Sequence, residues 1–470
     1  MVLMAQVNNI RVRNARVFDP AQGWRGEVRD LYMAGGKVSE PLDDPDVTIE
    51  AGKRPVMAGG IDPFCHLASP GQVLSRMIPG VPSPQETGEF YARMGYVHAH
   101  QPFMTLLTAG AVWHALERMP FIDTSASVAI DLRDMGKSIR ANNHTEFEAM
   151  ARILIDFSGG LGLFLPFPYL RHKHRHYLQK NISTKKILEF LSCVTDPGIL
   201  PIWLWGIPGL LDNDIPYPPA FHIAGLLRAL DSEKAVEHAA QFLDAGGSAD
   251  LALISRDTRL TVVSDPGVMP GSVSIDIGIS SPLRYDREQI PFQSACSMNA
   301  WRLLGEWQEG WYLSLSSPGS HRGVEGHLPE VLVWLLIPHS RPPEVDKALK
   351  SRTFDFCDIA RMTRLEPARL LGLDDLGSLR TGANGTVAMY DVTEGMPPTE
   401  MARAMAECWC LIKDGSLVRI KGGYSGITPH TRIRQRTLDC DVDLLARTDL
   451  LQNPSVRWEH LRQGPHMEDN

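Results

Sequence analysis

No window of the chain reaches the roughly 18 consecutive apolar residues that a membrane-spanning helix requires. The longest apolar stretch, Leu328 to Pro338, is shorter and carries Glu330. The sequence does not open on an apolar segment preceded by positive charge, so no secretory leader is expected. A basic excess is also missing: the formal charge is -8, which removes the electrostatic reason to expect nucleic acid. The seven cysteines are odd in number and irregular in spacing, which argues against a disulfide framework and for free thiols in a reducing compartment. Cys408-Trp-Cys410 is too closely spaced for a zinc knuckle or a redox pair and reads as packing. Internal repeats and low-complexity segments are absent. The expectation is a cytoplasmic protein with no membrane and no nucleic-acid partner.

What is present is an ordinary globular composition, 43% hydrophobic and 22% charged, in 470 residues. That length exceeds one core of ordinary size and suits a large barrel plus a smaller domain. Residues 7 to 50 alternate in the β manner around Asp19-Pro20 and a Gly35-Gly36 hairpin turn. The pattern returns in Thr386 to Asp391 and in Trp409 to Arg419, with Asp414-Gly415 as the turn. Two β-rich ends predict one small sandwich built from residues 1–57 and 378–425. Between them, residues 58–377 alternate short apolar runs with helical patterns, as a (β/α)8 barrel requires. Helices are expected at Ser83–Met94, Ser183–Cys193, Pro219–Leu230, Asp231–Leu243 and Glu366–Leu371. Strands are expected at Val97–Met104, Leu161–Leu165, Ile199–Trp205, Leu260–Val263 and Trp311–Leu315. Residues 426–470 form a polar, arginine-containing tail, mobile or docked on a partner.

The segment Pro55-Val-Met-Ala-Gly-Gly-Ile-Asp-Pro-Phe-Cys-His66 carries the most information. It reads as a buried strand delivering side chains to a barrel mouth. In metal-dependent amidohydrolases such a strand ends in His-x-His, which sets two imidazoles on one side of an extended backbone. Here those positions are Phe64 and His66.

Further segments extend the likeness: Asn14 to Gly23, Gly26 to Tyr32, Thr87-Gly-Glu-Phe-Tyr-Ala-Arg-Met-Gly-Tyr96, Pro120 to Asp123, Pro367 to Leu373, Gly382 to Asp391 and Leu411 to Gly415. With these, the chain from about residue 10 to 425 resembles the A subunit of formylmethanofuran dehydrogenase. The bacterial counterpart is the A subunit of the formyltransferase/hydrolase complex, and both belong to the amidohydrolase superfamily. The resemblance implies a binuclear zinc site that hydrolyses a formamide C–N bond in one-carbon metabolism. It also implies partner subunits and a methanofuran-like carrier.

Position by position, the ligands that the resemblance implies are replaced. The first histidine falls on Phe64, with His66 kept, and the carboxylated lysine falls on Phe164. A second His-x-His falls on Trp203 and Trp205, two more histidines on Ala239 and Leu243, and the late aspartate on Ser316. Large aromatics would fill a mouth stripped of metal. The reading is therefore a structural, catalytically degenerate subunit, for which zinc is expected only in intact relatives.

Two groups of histidines stand outside that set. His98-Ala-His100 lies on a predicted strand, so the two imidazoles face one way and could join His66 as a relocated metal site; a hydrogen-bonded core pair is the preferred reading. His172, His174 and His176 alternate with Arg171, Lys173 and Arg175, cations that disfavour a metal and suit an anionic carrier or partner. His66 itself reads as a hydrogen-bonded core residue, with Asp62 orienting either it or a nearby backbone group. Gly159-Gly-Leu-Gly162 lacks the context of a dinucleotide fingerprint and reads as a loop. Two rival functions remain: an active zinc amidohydrolase with a rearranged site, and a stand-alone protein binding a small ligand in the aromatic mouth.

Overall fold

Two successive glycines, Gly59 and Gly60, carry the chain from one β-sheet into the other. A Cβ on Gly59 would lie 2.5 Å from the Val97 side chain, and one on Gly60 would lie 2.7 Å from the Tyr96 ring. Only glycine lets these strands approach so closely. The architecture around this crossing comes from a computed structural model that describes residues 9–68, 82–130, 132–165, 182–194, 200–213, 215–252, 290–317, 328–426 and 429–438.

The first sheet combines both ends of the chain. Its N-terminal strands are β1 (Asn9–Asp19), β2 (Trp24–Ala34), β3 (Lys37–Ser39), β4 (Val47–Glu50) and β5 (Pro55–Ala58). Between β5 and the later members of this sheet come the barrel strands β6 (Gly60–Asp62), β7 (Tyr96–Met104), β8 (Asp123–Ala129), β9 (Leu163–Leu165), β10 (Ile202–Trp205), β11 (Phe221–Ala224), β12 (Ser248–Ala252) and β13 (Tyr312–Ser316). The chain then returns with β14 (Val387–Met389), β15 (Cys410–Lys413), β16 (Ser416–Ile420) and β17 (Gly423–Tyr424). The first sheet runs β17-β16-β15-β14-β5-β1-β2-β3, with β4 beside β1. Alternate residues such as Ile10, Val12, Met33, Val56, Met389 and Ile412 form its own buried cluster. Its two glycine turns touch: a Cβ on Gly415, which has φ +69°, would lie 2.9 Å from Gly36 Cα.

The barrel strands run parallel in the order β13-β12-β11-β10-β9-β8-β7-β6. Most are buried at every position, as parallel strands covered on both faces must be. Helices α1 (Pro84–Arg93), α2 (Ala109–Leu116), α3 (Leu132–Ala141), α4 (His144–Ser158), α5 (Thr184–Ser192), α6 (Glu233–Asp244), α7 (Ile290–Gly305) and α8 (Leu328–Leu336) cover it. Helix α1 begins with Ser83 accepting from Glu86 N while the Glu86 carboxylate accepts from Ser83 N, and proline occupies the first turn. This fold class, an α/β barrel with a separate sheet, is the one expected from the sequence.

One expected helix is a strand. Residues 219–230 contain a short 3-10 turn (Pro218–Ala220), strand β11 and a second 3-10 turn (Leu226–Ala229). Gly225, at φ +62°, breaks any helix through this stretch. The segments 171–175 and 260–263 lie outside the described residues. Among the described residues no helix is long and apolar enough to cross a membrane.

The tail contributes a further strand, β18 (Ile433–Arg434), which pairs in parallel with Thr124 and Ser125 of β8. Strand β9 meets β8 only at Val128 and Ala129, so the lower half of that β8 edge is open to β18. Buried charge holds the strand there. Arg434 forms a two-pronged bond to Asp375, both contacts 2.8 Å, and Lys413 pairs with Asp123 at 2.7 Å with both side chains buried. The docking found here is onto the protein's own barrel.

Candidate functional site in the barrel interior

The interior is built in two layers from the inward positions of the strands. Nearest the C-terminal ends lie Phe64, His66, Phe164 and Trp205, all buried. Phe64 meets His66 edge-on at 5.3 Å between centroids, His66 lies 6.0 Å from Trp205, and Phe164 packs edge-on against Trp205 at 5.7 Å. The Phe64 ring also rests on Gly225, where an added Cβ would stand 3.2 Å from it. Gln101 fixes the chain beyond His66, its Oε1 accepting from Leu67 N at 2.8 Å and Ala68 N at 2.9 Å.

The deeper layer is polar and centred on Trp203, which is fully buried between His100 at 4.8 Å and His222 at 4.4 Å. Ser125 Oγ bridges His98 Nε2 at 2.8 Å and His100 Nδ1 at 2.7 Å, and His100 Nε2 meets Ser127 Oγ at 2.9 Å. Burial holds both imidazoles well below the usual histidine range, so they are neutral hydrogen-bonding groups. On the far wall His222 contacts Ser248 Oγ through Nδ1 and Asp250 Oδ1 through Nε2, each at 3.1 Å. Asp250 also accepts from Gly225 N at 3.0 Å and from Ser316 Oγ at 2.6 Å. Two buried polar atoms in this layer, His98 Nδ1 and Trp203 Nε1, have no hydrogen-bond partner.

The seam between the first and last barrel strands is spanned by side chains. Asp62 at the end of β6 accepts from Ser317 N at 3.2 Å, Phe64 N at 3.2 Å, Tyr91 Oη at 2.8 Å and the Ser317 hydroxyl. Burial pushes this carboxyl up to about 7 against those four donors. Beside the seam a π-helical turn (Arg361–Leu365) carries Arg364, fully buried, whose Nε donates to Ala58 O at 3.2 Å and whose Nη2 donates to Tyr390 Oη at 2.6 Å. That guanidinium ties the first sheet to the barrel.

Of the positions singled out in the sequence, Phe64, His66, Phe164, Trp203 and Trp205 come together in the interior, and Ser316 joins the wall opposite through Asp250. Ala239 and Leu243 do not. Both lie buried on α6, a covering helix outside the strands, and the interior residues on that side of the barrel come from β11 and β12 instead. That buried wall, with His222 and Asp250, was not anticipated, nor was the part played by Ser317 and Tyr91. His98 and His100 sit side by side on β7 and share a serine. Cys65, Cys408 and Cys410 are buried free thiols. The basic cluster Arg171, His172, Lys173, His174 and Arg175 lies outside the described residues.

A pair of zinc ions does not fit these side chains. Phenyl rings at Phe64 and Phe164 and indoles at Trp203 and Trp205 offer no lone pair to a metal, and the Ser316 hydroxyl is engaged by Asp250. Among the described residues no three His, Cys, Asp or Glu are grouped to hold a metal.

The eight parallel strands and their covering helices define a (β/α)8-type barrel protein. No protein-family model matches the chain. The A subunit of the formyltransferase/hydrolase complex Fhc from Methylorubrum extorquens is 25% identical over 468 residues, covering 81% of this chain and 83% of that protein. FwdA of Methanocaldococcus jannaschii is 21% identical, covering 88% of each. Among solved structures, the M. extorquens formyltransferase/hydrolase complex FhcABCD, crystallised with methylofuran, matches with TM-score 0.76 and 22% identity over 93% of both chains. Dihydropyrimidinase from Brevibacillus agri matches with TM-score 0.57 and 14% identity, over 92% of this chain and 99% of that one. The chain is similar in sequence to FwdA and to the A subunit of Fhc, and it shares their relatives' barrel fold.

Proposed function

We propose that this protein takes the place of the A subunit in a formyltransferase/hydrolase-type complex of one-carbon metabolism, retained for assembly and not for hydrolysis. Its partners would be the other subunits of such a complex, with a methanofuran-like carrier as the small molecule the assembly handles. Support for membership comes from similarity to the Fhc relative along four fifths of the chain. Support for lost hydrolysis comes chiefly from the packed upper layer, where Phe64 on Gly225 and Phe164 on Trp205 occupy space that a formyl group and a metal-bound water would need. Replacement of a ligand by bulk removes both the electrophile and its cavity. The coherence of the packing favours a settled interior over an impaired site. Five of the six ring nitrogens of His98, His100 and His222 are engaged by Ser125, Ser127, Ser248 and Asp250, and His98 Nδ1 alone could not hold a metal, which favours this reading over a relocated metal site.

The test is co-expression with candidate partner subunits, followed by metal analysis. The expected outcome is co-elution with those subunits and zinc far below one ion per chain, with no formate released from a formamide substrate by the isolated chain. About two zinc ions per chain together with formamide hydrolysis would end the reading of lost catalysis. A monodisperse free chain that ignores the partner subunits would end the assembly role.

A further inference from the structure

At the N-terminal rim of the barrel, away from the aromatic mouth, four segments of the chain line a half-open cavity of about 650 Å³. Its walls are the Gly35-Gly36-Lys37 turn, the Asp414-Gly415-Ser416 turn, Asp375 with Asn384, and the tail residues Arg432, Ile433 and Arg434. The volume is in the range of small-molecule sites, although the lining is far more polar than usual. Ile433 supplies the one aliphatic side chain in that lining, so an apolar occupant has little to gain.

The charges decide the sign of the occupant. Both carboxylates facing the cavity are already matched. Asp375 takes two contacts from Arg434 and a third from Asn384 Nδ2, each 2.8 Å, and Asp414 takes Arg432 and Lys413, each at 3.3 Å. What is left over is donor capacity. Lys37 Nζ meets an amide oxygen, Asn384 Oδ1 at 3.2 Å, and not a carboxylate. Arg432 reaches Asp414 through one nitrogen and is 41% exposed. Arg434 Nε is buried with no partner. Three cations and two carboxylates therefore line the space, a positive surplus in a chain whose formal charge is -8.

We propose that this cavity binds a small oxyanion, a compound presenting phosphate or carboxylate oxygens to Lys37 and Arg432. Bound there, the anion joins the β2–β3 turn to the tail strand, so occupancy and tail docking strengthen each other. A cation is disfavoured because it would meet carboxylates already neutralised and an ammonium group facing it. The proposal is independent of formyl chemistry, which would sit at the other end of the barrel.

The experiment titrates the full-length protein with inorganic phosphate and, separately, with glutarate, by calorimetry and by thermal melting, against sodium chloride of equal ionic strength. Expected is saturable one-to-one binding of at least one of the two, weakened about tenfold or more in Lys37→Met and in Arg432→Gln, as loss of one charge-assisted contact predicts. Lys37→Arg should keep most of the affinity. Trypsin cleavage at Arg432 and Arg434 should slow in the presence of the bound anion and not in Lys37→Met. Binding of phosphate alone or glutarate alone assigns the natural ligand class. Lys37 is exposed and held by one amide, so its variants should melt at the wild-type temperature without ligand. A response equal to that of sodium chloride, or wild-type affinity in both Lys37→Met and Arg432→Gln, would overturn the proposal.

Discussion

Replacing Asp62 by asparagine isolates the electrostatics of the barrel seam. The carboxyl is fully enclosed, and burial raises its pKa from 3.8 to about 7 despite four donors that favour the anion. Between those two values the folded protein keeps a proton that the unfolded chain has released. Folding is therefore favoured by acid, and stability declines as pH rises through the window from 3.8 to about 7. At about 1.4 kcal/mol for each pH unit of displacement, the full decline is about 4 kcal/mol, complete above neutrality. Asparagine does not titrate, so its altered hydrogen bonding adds an offset that is constant with pH. Urea unfolding of both proteins at intervals from about pH 4 to about pH 8 gives the two stability curves. The wild-type curve minus the Asp62→Asn curve should fall by about 4 kcal/mol across that range. A difference curve that is flat to within about 1 kcal/mol would refute the reasoning. One that climbs with pH would mean that Ser317, Tyr91 and the Phe64 amide outweigh burial and hold the carboxylate ionised.

Lys413→Met removes the partner of buried Asp123 at 2.7 Å; with Arg434 still 3.6 Å away, the expected cost is about 3 kcal/mol in chemical denaturation, and Lys413→Met with Asp123→Asn should recover most of it. Trp203→Ala should cost about 3–5 kcal/mol by opening a cavity between His100 and His222, and added indole should restore part of the lost melting temperature. A loss under about 1 kcal/mol in either single variant would show that the packing or the charge pair matters less than its burial indicates.

The β-rich ends were legible because their signals are local. Gly35-Gly36 and Asp414-Gly415 mark hairpins, and the first half of β1 and the end of β2 alternate in burial. Helix α1 was legible for the same reason, through Ser83, Pro84 and Glu86. Strand β11 was not. Phe221 to Ala224 is buried at all four positions, so it has no period of two, and the leucines after Gly225 extend it into a helical spacing. With that strand hidden, His222 was hidden too, and the histidine positions that the resemblance implies fall on the next segment, α6, where Ala239 and Leu243 lie outside the barrel wall. The aromatic replacements at Phe64, Phe164, Trp203 and Trp205 were visible as residues, yet their contacts depend on strand register, which no local pattern encodes. Closure of the seam by Asp62 and Ser317, 255 positions apart, is likewise a property of the closed ring alone.

Strand β18 has a bearing on how the protein is made. The lower edge of β8 leaves the ribosome some 300 residues before Ile433 and Arg434, the segment that will cover it. Throughout that interval the nascent barrel presents open backbone donors and acceptors beside Asp123, a buried carboxylate still awaiting Lys413 and Arg434. Synthesis interrupted before that strand should thus leave a sticky, charge-frustrated intermediate.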